Sequence, residues 1–173
     1  LRSMPGLGGV DPFRNVQATY RETPIFISAV DPSVLQKYTR FGWLKGGDEN
    51  WEPVKNGAVI ISESFFRRFG TKAGDRIVLN GAHGPAELRV AAVFYDYTSE
   101  HGVVMMARSA YLQIFGDPTI NSLGIFLDAD APRRPELLEE VRQRAQSRGL
   151  TVYNRDQLHG SILSVFDSTF AVT

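Results

Sequence analysis

Residues 57–97 constrain the fold more than any other stretch, because the start and end signals of each element in it can be recognised. After a short apolar run, Ser62 offers the side-chain oxygen expected of a helix N-cap. Phenylalanines at helical spacing then give the helix an apolar face, and Gly70 stands where a left-handed residue would end it. Gly74 and Asp75 form a tight turn into the next strand. The stretch predicts a strand at 58–61, a helix at 63–69, and strands at 76–79 and 88–94.

The rest of the chain alternates strands and helices. We predict that residues 1–12 are a flexible segment. Their glycines suggest a phosphate-binding loop, but no strand precedes them and Pro12 blocks an early helix, so this alternative is not favoured. Asp31 and Pro32 begin a helix as its cap and first residue, and residues 41–56 predict an irregular linker. The other predicted elements are strands at 13–20, 24–30, 103–106, 120–127 and 150–153, and helices at 107–115, 135–147 and 156–170. This order favours an α/β sandwich interrupted by a β-rich insertion.

The composition excludes several classes of protein. The 173 residues carry 19 basic and 19 acidic side chains, so the formal net charge is zero. A nucleic-acid or anionic-membrane binder driven by overall charge is therefore not expected. The chain has no cysteine, which excludes disulfides, thiol catalysis and cysteine-ligated zinc. No run approaches the roughly 20 apolar residues of a membrane span, and both ends of the sequence suggest a segment of a longer protein.

Residues with catalytic potential are few. The three histidines, His83, His101 and His159, are not spaced as metal ligands. Asp96, Glu100 and His101 come closest to a site, as an acid–base group or around a cation. The simpler interpretation is a polar turn exposed to water, so we predict no catalytic residue, no metal and no cofactor. A small hydrolase built on these three side chains is the least favoured hypothesis.

Several aromatic residues are candidates for contact with a ligand or partner. Trp43 and Trp51 flank a polar loop tip, where we expect them to cover a junction between two lobes, with ligand binding as the alternative. In the strand at 88–94, alternation predicts that Phe94 points inward and Tyr95 outward, which makes Tyr95 a candidate contact residue.

The residues resemble a known family, the extracytoplasmic domains of FtsX-like, MacB-type ABC transporter permeases. The resemblance covers residues 13–173 and rests on four segments, VIISESF at 59–65, FGTKAGDR at 69–76, VAAVFYDY at 90–97 and VFDSTFAVT at 165–173. The last of these resembles the segment that leads into a transmembrane helix in such permeases.

The resemblance implies an α+β fold with two lobes. A discontinuous porter-like α/β sandwich lobe at 1–45 and 107–173 would be interrupted by an inserted, β-rich, sabre-like lobe at 46–106. It also implies a non-enzymatic domain on the periplasmic or extracellular side of the cytoplasmic membrane. Such a domain contacts cargo or an adaptor protein and relays conformational change, while a separate cytoplasmic chain or domain hydrolyses ATP. The typical cargo is a lipoprotein, lipid, peptide or drug.

Within this picture the permease is expected to dimerise and to have no nucleic-acid partner. The expected contacts lie at the rim of the inserted lobe, and the candidate residues are Trp43, Trp51, His83, Tyr95, Tyr97 and His101. The alternative hypothesis is a free-standing extracytoplasmic ligand-binding or sensor module, with its pocket between the tryptophan-bearing loop and the end of the strand at Tyr95 to Tyr97.

Overall fold

A computed structural model describes residues 6–96, 100–128 and 133–153 of the chain. They belong to two compact units. One spans Leu7–Phe126, and the other contains Gly6 and the described residues from Leu127 onward. The strands are β1 (Leu7–Tyr20), β2 (Thr23–Val30), β3 (Val59–Ser62), β4 (Arg76–Gly81), β5 (Gly84–Phe94), β6 (Val103–Ala107) and β7 (Ser122–Leu127). The helices are α1 (Pro32–Tyr38), α2 (Trp51–Lys55), α3 (Glu63–Phe69), α4 (Arg108–Phe115) and α5 (Arg134–Gln146).

All seven strands lie in one mixed sheet, in the order β4-β5-β3-β6-β2-β1-β7. The β3–β5 and β2–β6 pairs are parallel, whereas the β1–β2, β3–β6 and β4–β5 pairs are antiparallel. One apolar cluster joins the sheet to α3 and α4, and a second joins it to α1 and α2. Helices therefore cover both faces, and the α+β class predicted from the sequence is confirmed.

Residues 57–96 form the predicted elements and caps. The Ser62 hydroxyl accepts a hydrogen bond from the Phe65 backbone N–H at 3.3 Å, as an N-cap does. It accepts a second one from the Val103 N–H at 2.8 Å, which ties the start of α3 to β6. Gly70 ends α3 in the left-handed conformation, with φ of 67°.

An irregularity in β5 changes which residues reach each face of the sheet. Val59 pairs with Val90, but Ile60 pairs with Ala92, so β5 contains one extra residue. Val90 consequently packs in the cluster beneath α3 and α4, while Ala92 and Phe94 pack in the cluster beneath α1 and α2. Phe94 is buried as predicted and Tyr95 is half-buried.

Three sequence predictions were wrong. Residues 7–12 are not a flexible segment but the first part of β1, where Gly9 passes the Tyr38 ring so closely that an added Cβ would lie 2.9 Å from it. Residues 41–56 are not wholly irregular, because a 3-10 turn at Asp48–Asn50 leads into α2. Residues 150–153 follow α5 as irregular chain and not as a strand. The helix predicted at 156–170 lies outside the described residues.

The second unit contains α5, which carries its charges as pairs along its surface. Glu140 and Arg144 form an i, i+4 ion pair at 2.6 Å. Within the described residues, no helix is both long and apolar enough to cross a membrane. The division into lobes at 1–45 with 107–173 and at 46–106 stays a prediction, and strands from both segments share the seven-stranded sheet.

Candidate contact surface

An aromatic loop, residues 41–48, closes over one end of the sheet. Two backbone hydrogen bonds attach it to β5 and its continuation, from the Leu44 N–H to the Val93 oxygen at 2.9 Å and from the Tyr95 N–H to the Gly42 oxygen at 2.8 Å. Between them, Trp43 forms an antiparallel bridge with Phe94. The loop is therefore held in place as a short extension of the sheet.

The aromatic side chains of this loop form one cluster with the core. The Phe41 ring contacts those of Trp43, Trp51 and Phe94, with centroid distances of 5.5, 4.9 and 5.5 Å. Trp43 and Trp51 also meet edge to face at 5.5 Å. Edge-to-face and offset pairs of this kind stabilise an aromatic cluster beyond the area that they bury.

The two tryptophans differ in what they can contact. Trp51 is only 1% exposed, so it supports the aromatic loop from within the core. Trp43 is half-buried, and its indole Nε1–H donates to the Asp48 carboxylate at 3.3 Å. Beside it, Leu44 is 42% exposed at the tip of the loop. The part of the cluster that faces solvent is therefore Trp43 and Leu44.

An open groove of about 530 Å³ runs between the end of α1 and the aromatic loop. Its lining residues are Gln36, Lys37, Tyr38, Thr39, Arg40, Phe41, Trp43, Gly47 and Asp48. The lining is mostly polar and includes the charged residues Lys37, Arg40 and Asp48, and Phe41 and Trp43 contribute aromatic surface. The volume is in the range typical of small-ligand sites.

The turn between β5 and β6 contributes exposed polar groups near the same end of the sheet. His101 is exposed and meets the Phe26 ring edge to face at 6.1 Å. The Glu100 backbone oxygen accepts a hydrogen bond from Arg68 at 3.2 Å. Tyr97 lies outside the described residues. In the part of the chain that the structure describes, no group of three or more histidine or carboxylate residues could hold a metal ion.

His83 does not belong to this surface. It stands at the turn between β4 and β5, whereas Tyr95 follows the other end of β5. Eleven residues of strand separate the two positions, a span of about 35 Å. The hairpin turn packs instead on the end of α4, where the Ala82 N–H donates to the Ile114 oxygen at 2.8 Å. The described candidate residues thus divide into two groups. Trp43, Trp51, Tyr95 and His101 form the aromatic end, and His83 lies at the hairpin end.

The sequence analysis did not identify three polar residues that are buried or half-buried in the fold, Asp11, Arg14 and Asp117. Asp11 is 4% exposed and accepts the Asp31 N–H at 2.6 Å. Arg14 and Asp117 form an ion pair at 2.8 Å, and the Tyr111 hydroxyl donates to the same carboxylate oxygen at 3.0 Å. Of these residues, only Asp11 could have been recognised in the sequence, as an acidic residue in an otherwise apolar run before Pro12. The ion pair could not, because its two residues are 103 positions apart.

Hydrogen bonding and burial shift the pKa values of two of these carboxyl groups in opposite directions. Burial raises the pKa of Asp11 to about 6, and the nearby Asp31 carboxylate adds to this, while the Asp31 N–H and Arg108 oppose it. Hydrogen bonds from Thr119, followed by those from Tyr111 and Arg14, hold the pKa of Asp117 well below its usual range. Neither carboxyl group lies in the aromatic cluster or the groove.

The fold of this chain is similar to those of two solved extracytoplasmic domains. Superposition on the periplasmic region of MacB from Actinobacillus actinomycetemcomitans gives a TM-score of 0.63 at 13% identity, covering 93% of this chain and 78% of that one. For the extracellular domain of the noncanonic ABC-type transporter YknZ from Gram-positive bacteria, the TM-score is 0.54 at 15% identity, covering 87% and 81%. The resemblance predicted from the sequence is confirmed at the level of the fold.

Sequence similarity points to the same class of proteins. The chain is 24% identical over 151 residues to an uncharacterised ABC transporter permease protein of Mycobacterium tuberculosis. The match covers 85% of this chain but only 18% of that permease, so the chain spans less than a fifth of this relative. No protein-family model matches the chain.

Proposed function

We propose that the chain is an extracytoplasmic domain of an ABC transporter permease. The observation that carries this proposal is the similarity to the mycobacterial permease over 85% of the chain, which agrees with the fold of the MacB and YknZ domains. The domain stands on the periplasmic or extracellular side of the cytoplasmic membrane. It has no catalytic role, and ATP is hydrolysed by a separate cytoplasmic chain or domain.

The domain contacts cargo or an adaptor protein and relays conformational change to the membrane. The exposed parts of the aromatic end, Trp43, Tyr95 and His101, together with His83 at the hairpin end, are the contact residues of this proposal. Tyr97 is a further candidate outside the described residues, and Trp51 takes part by holding Trp43 in place. The cargo belongs to the lipoprotein, lipid, peptide or drug class.

The continuity of the sheet favours one form of relay. Because β2 pairs with β6, strands from the two predicted lobes are hydrogen-bonded to one another. Bending between such strands would break buried backbone hydrogen bonds, which is costly. The sheet therefore moves as one body relative to the membrane, within a dimeric permease.

The location is tested by thiol labelling of the full-length protein after any cysteine outside these 173 residues has been replaced, since these residues themselves contain none. A Gln113→Cys variant places a thiol on the exposed surface of α4, and Val104→Cys places one at a fully buried position of β6. We expect a membrane-impermeant maleimide to label the first variant in intact cells and the second only after unfolding. Labelling of Gln113→Cys only after the cytoplasmic membrane is broken would contradict the proposal.

The relay is tested by distance measurements in the full-length permease with its ATPase in membranes. A single spin label at Gln113→Cys reports the distance between the two copies, and paired labels at Gln17→Cys and His83→Cys report the distance across the predicted lobe boundary. We expect ATP to change the first distance and to leave the second unchanged. A dimer in which neither distance responds to ATP would exclude the relay.

The second candidate function is a ligand-binding or sensor module. The observation that favours it is the groove beside Trp43. If the full-length protein has no membrane span on either side of this domain, the permease hypothesis fails and the sensor hypothesis takes its place.

A further inference from the structure

Strand β4 forms one edge of the sheet and pairs on one side only, with β5. Ile77 and Leu79 are almost fully buried. Arg76, Val78 and Asn80 alternate with them and are exposed. An open edge offers its unpaired backbone groups to another strand, unless proline, uncompensated charge or a covering element prevents this. β4 contains no proline, and within the described residues no other strand pairs with its outer side.

The register of the β4–β5 hairpin shows which backbone groups point outward. In an antiparallel ladder, opposite residues alternate between pairs that exchange two hydrogen bonds and pairs that exchange none. Asn80 lies opposite Pro85, which has no N–H group, so this pair belongs to the second kind. By alternation, Val78 and Arg76 also belong to pairs of the second kind. The N–H and C=O groups of these three residues of β4 therefore point away from β5.

These outward groups are complementary to those of a second copy of β4. An antiparallel pairing with a twofold axis at Val78 places Val78 opposite its own copy, and Arg76 opposite Asn80 of the second copy. Each outward-facing residue then exchanges hydrogen bonds with an outward-facing residue of the other copy. A pairing centred on Arg76 would instead bring two arginines together, and like charges directly opposite destabilise a strand pair.

The side chains on the exposed face of β4 also fit this pairing. Val78 is 49% exposed, and a β-branched residue packs well against its copy on a pleated surface. The charge of Arg76 is compensated within its own copy by an ion pair with Glu87. Arg89 lies opposite Arg76 on β5, one strand further from the second copy. The pairing therefore joins apolar and compensated groups and places no like charges opposite each other.

We propose that two copies of the chain associate through β4, which pairs antiparallel with β4 of the second copy across a twofold axis at Val78. The two sheets then form one continuous sheet. This inference goes beyond the proposed function and does not depend on it, because the pairing groups all lie within β4. In a permease whose two copies move relative to each other, the β4 pairing is the arrangement in which the two extracytoplasmic domains lie closest.

The test is disulfide crosslinking of the full-length protein in cells, after any other cysteine has been replaced. Opposite residues of a hydrogen-bonded antiparallel pair have Cα atoms about 5.5 Å apart, which a disulfide can span. We expect Val78→Cys alone to form a covalent dimer on mild oxidation. Arg76→Cys and Asn80→Cys should crosslink only when they are expressed together, because each lies about 14 Å from its own copy. Each of these two variants expressed alone is the matched control, since both positions are exposed on the same strand.

A second comparison tests Val78 itself. Val78→Lys, added to both members of the co-expressed pair, places two ammonium groups opposite each other and should reduce the crosslink between positions 76 and 80 about tenfold. Val78→Thr is the matched control and should leave the crosslink unchanged, since threonine keeps the β-branched shape and adds no charge. Resistance to limited proteolysis verifies that each full-length variant is folded.

The proposal is overturned by any of three results. Val78→Cys forms no dimer, or Arg76→Cys or Asn80→Cys crosslinks alone as efficiently as the co-expressed pair, or Val78→Lys reduces the crosslink no more than Val78→Thr does. Thiol labelling at Gln113→Cys reports the location of the domain independently of these results. Failure of the β4 pairing and failure of the proposed function are therefore distinguishable.

Discussion

Replacing Asp11 by asparagine should stabilise the domain at neutral and alkaline pH. The carboxyl group is 4% exposed, and burial is the main cause of the rise of its pKa to about 6 from an ordinary value of 3.8. Above that pH the folded domain must hold a desolvated charge. The difference in pKa, which already includes the opposing Asp31 N–H and Arg108, corresponds to at most about 3 kcal/mol. We expect about 2 kcal/mol, because a neutral amide oxygen accepts the Asp31 N–H more weakly than a carboxylate does.

The sign of this effect depends on pH. A raised pKa means that the folded state binds the proton more tightly, so this group favours folding most below about pH 4 and loses that contribution as the pH rises through about 6. An asparagine oxygen can still accept the Asp31 N–H but carries no charge. Asp11→Asn should therefore exceed the parent in stability near pH 8, and the gain should shrink towards pH 4.

Urea unfolding followed by tryptophan fluorescence measures the difference directly, because both tryptophans lie in the same compact unit as Asp11. Taking the variant relative to the parent at each pH removes the contribution of the other carboxyl groups. Asp75→Asn is the matched control, since the Asp75 side chain likewise accepts a backbone N–H, that of Lys72, but takes no part in the Asp11 interactions, and an asparagine oxygen can accept the same N–H. A loss of stability in Asp11→Asn that does not vary with pH would refute the reasoning and show that the Asp31 hydrogen bond outweighs desolvation.

Three further predictions concern how the fold is held together. Gly81→Ala should cost about 2 kcal/mol in urea unfolding, because a Cβ there would lie 2.4 Å from the Ile114 oxygen and force the hairpin away from α4; an unchanged midpoint would mean that the hairpin is not held there. Ser62→Ala should also cost about 2 kcal/mol, since it leaves the buried N–H groups of Phe65 and Val103 without an acceptor; an equally stable variant would show that these groups find other acceptors. Asp117→Asn should lower the melting temperature near pH 7, with a difference that diminishes as the pH falls from the ordinary carboxyl value of 3.8 towards the lowered pKa; a difference that is constant with pH would contradict the shift.

Local signals were enough to predict the elements in which the cap and the turn are encoded within a few residues. Ser62 and Gly70 mark the two ends of α3 in the sequence as they do in the structure. The prediction failed where the deciding contact is distant. Glycine-rich residues 7–12 become a strand because β7 pairs beside them and Gly9 admits the Tyr38 ring, and neither neighbour is visible in the local sequence.

The same limit explains the mixed outcome for the contact residues. Sequence spacing marked Trp43 and Trp51 as a pair, but only the fold shows that one supports the other. A cluster built partly into the core costs little to keep ordered, because the free energy of packing Trp51 and Phe94 also holds Trp43 and Leu44 at the surface. Alternation counted from Val90 would have placed Phe94 on the wrong face of the sheet, since β5 contains one extra residue between Val90 and Ala92. That irregularity turns Phe94 towards the aromatic loop and so creates the wall of the cluster. The surface proposed for contact therefore depends on a local departure from regular strand geometry, and removing Ala91 should destroy the aromatic end while leaving the β4–β5 hairpin intact.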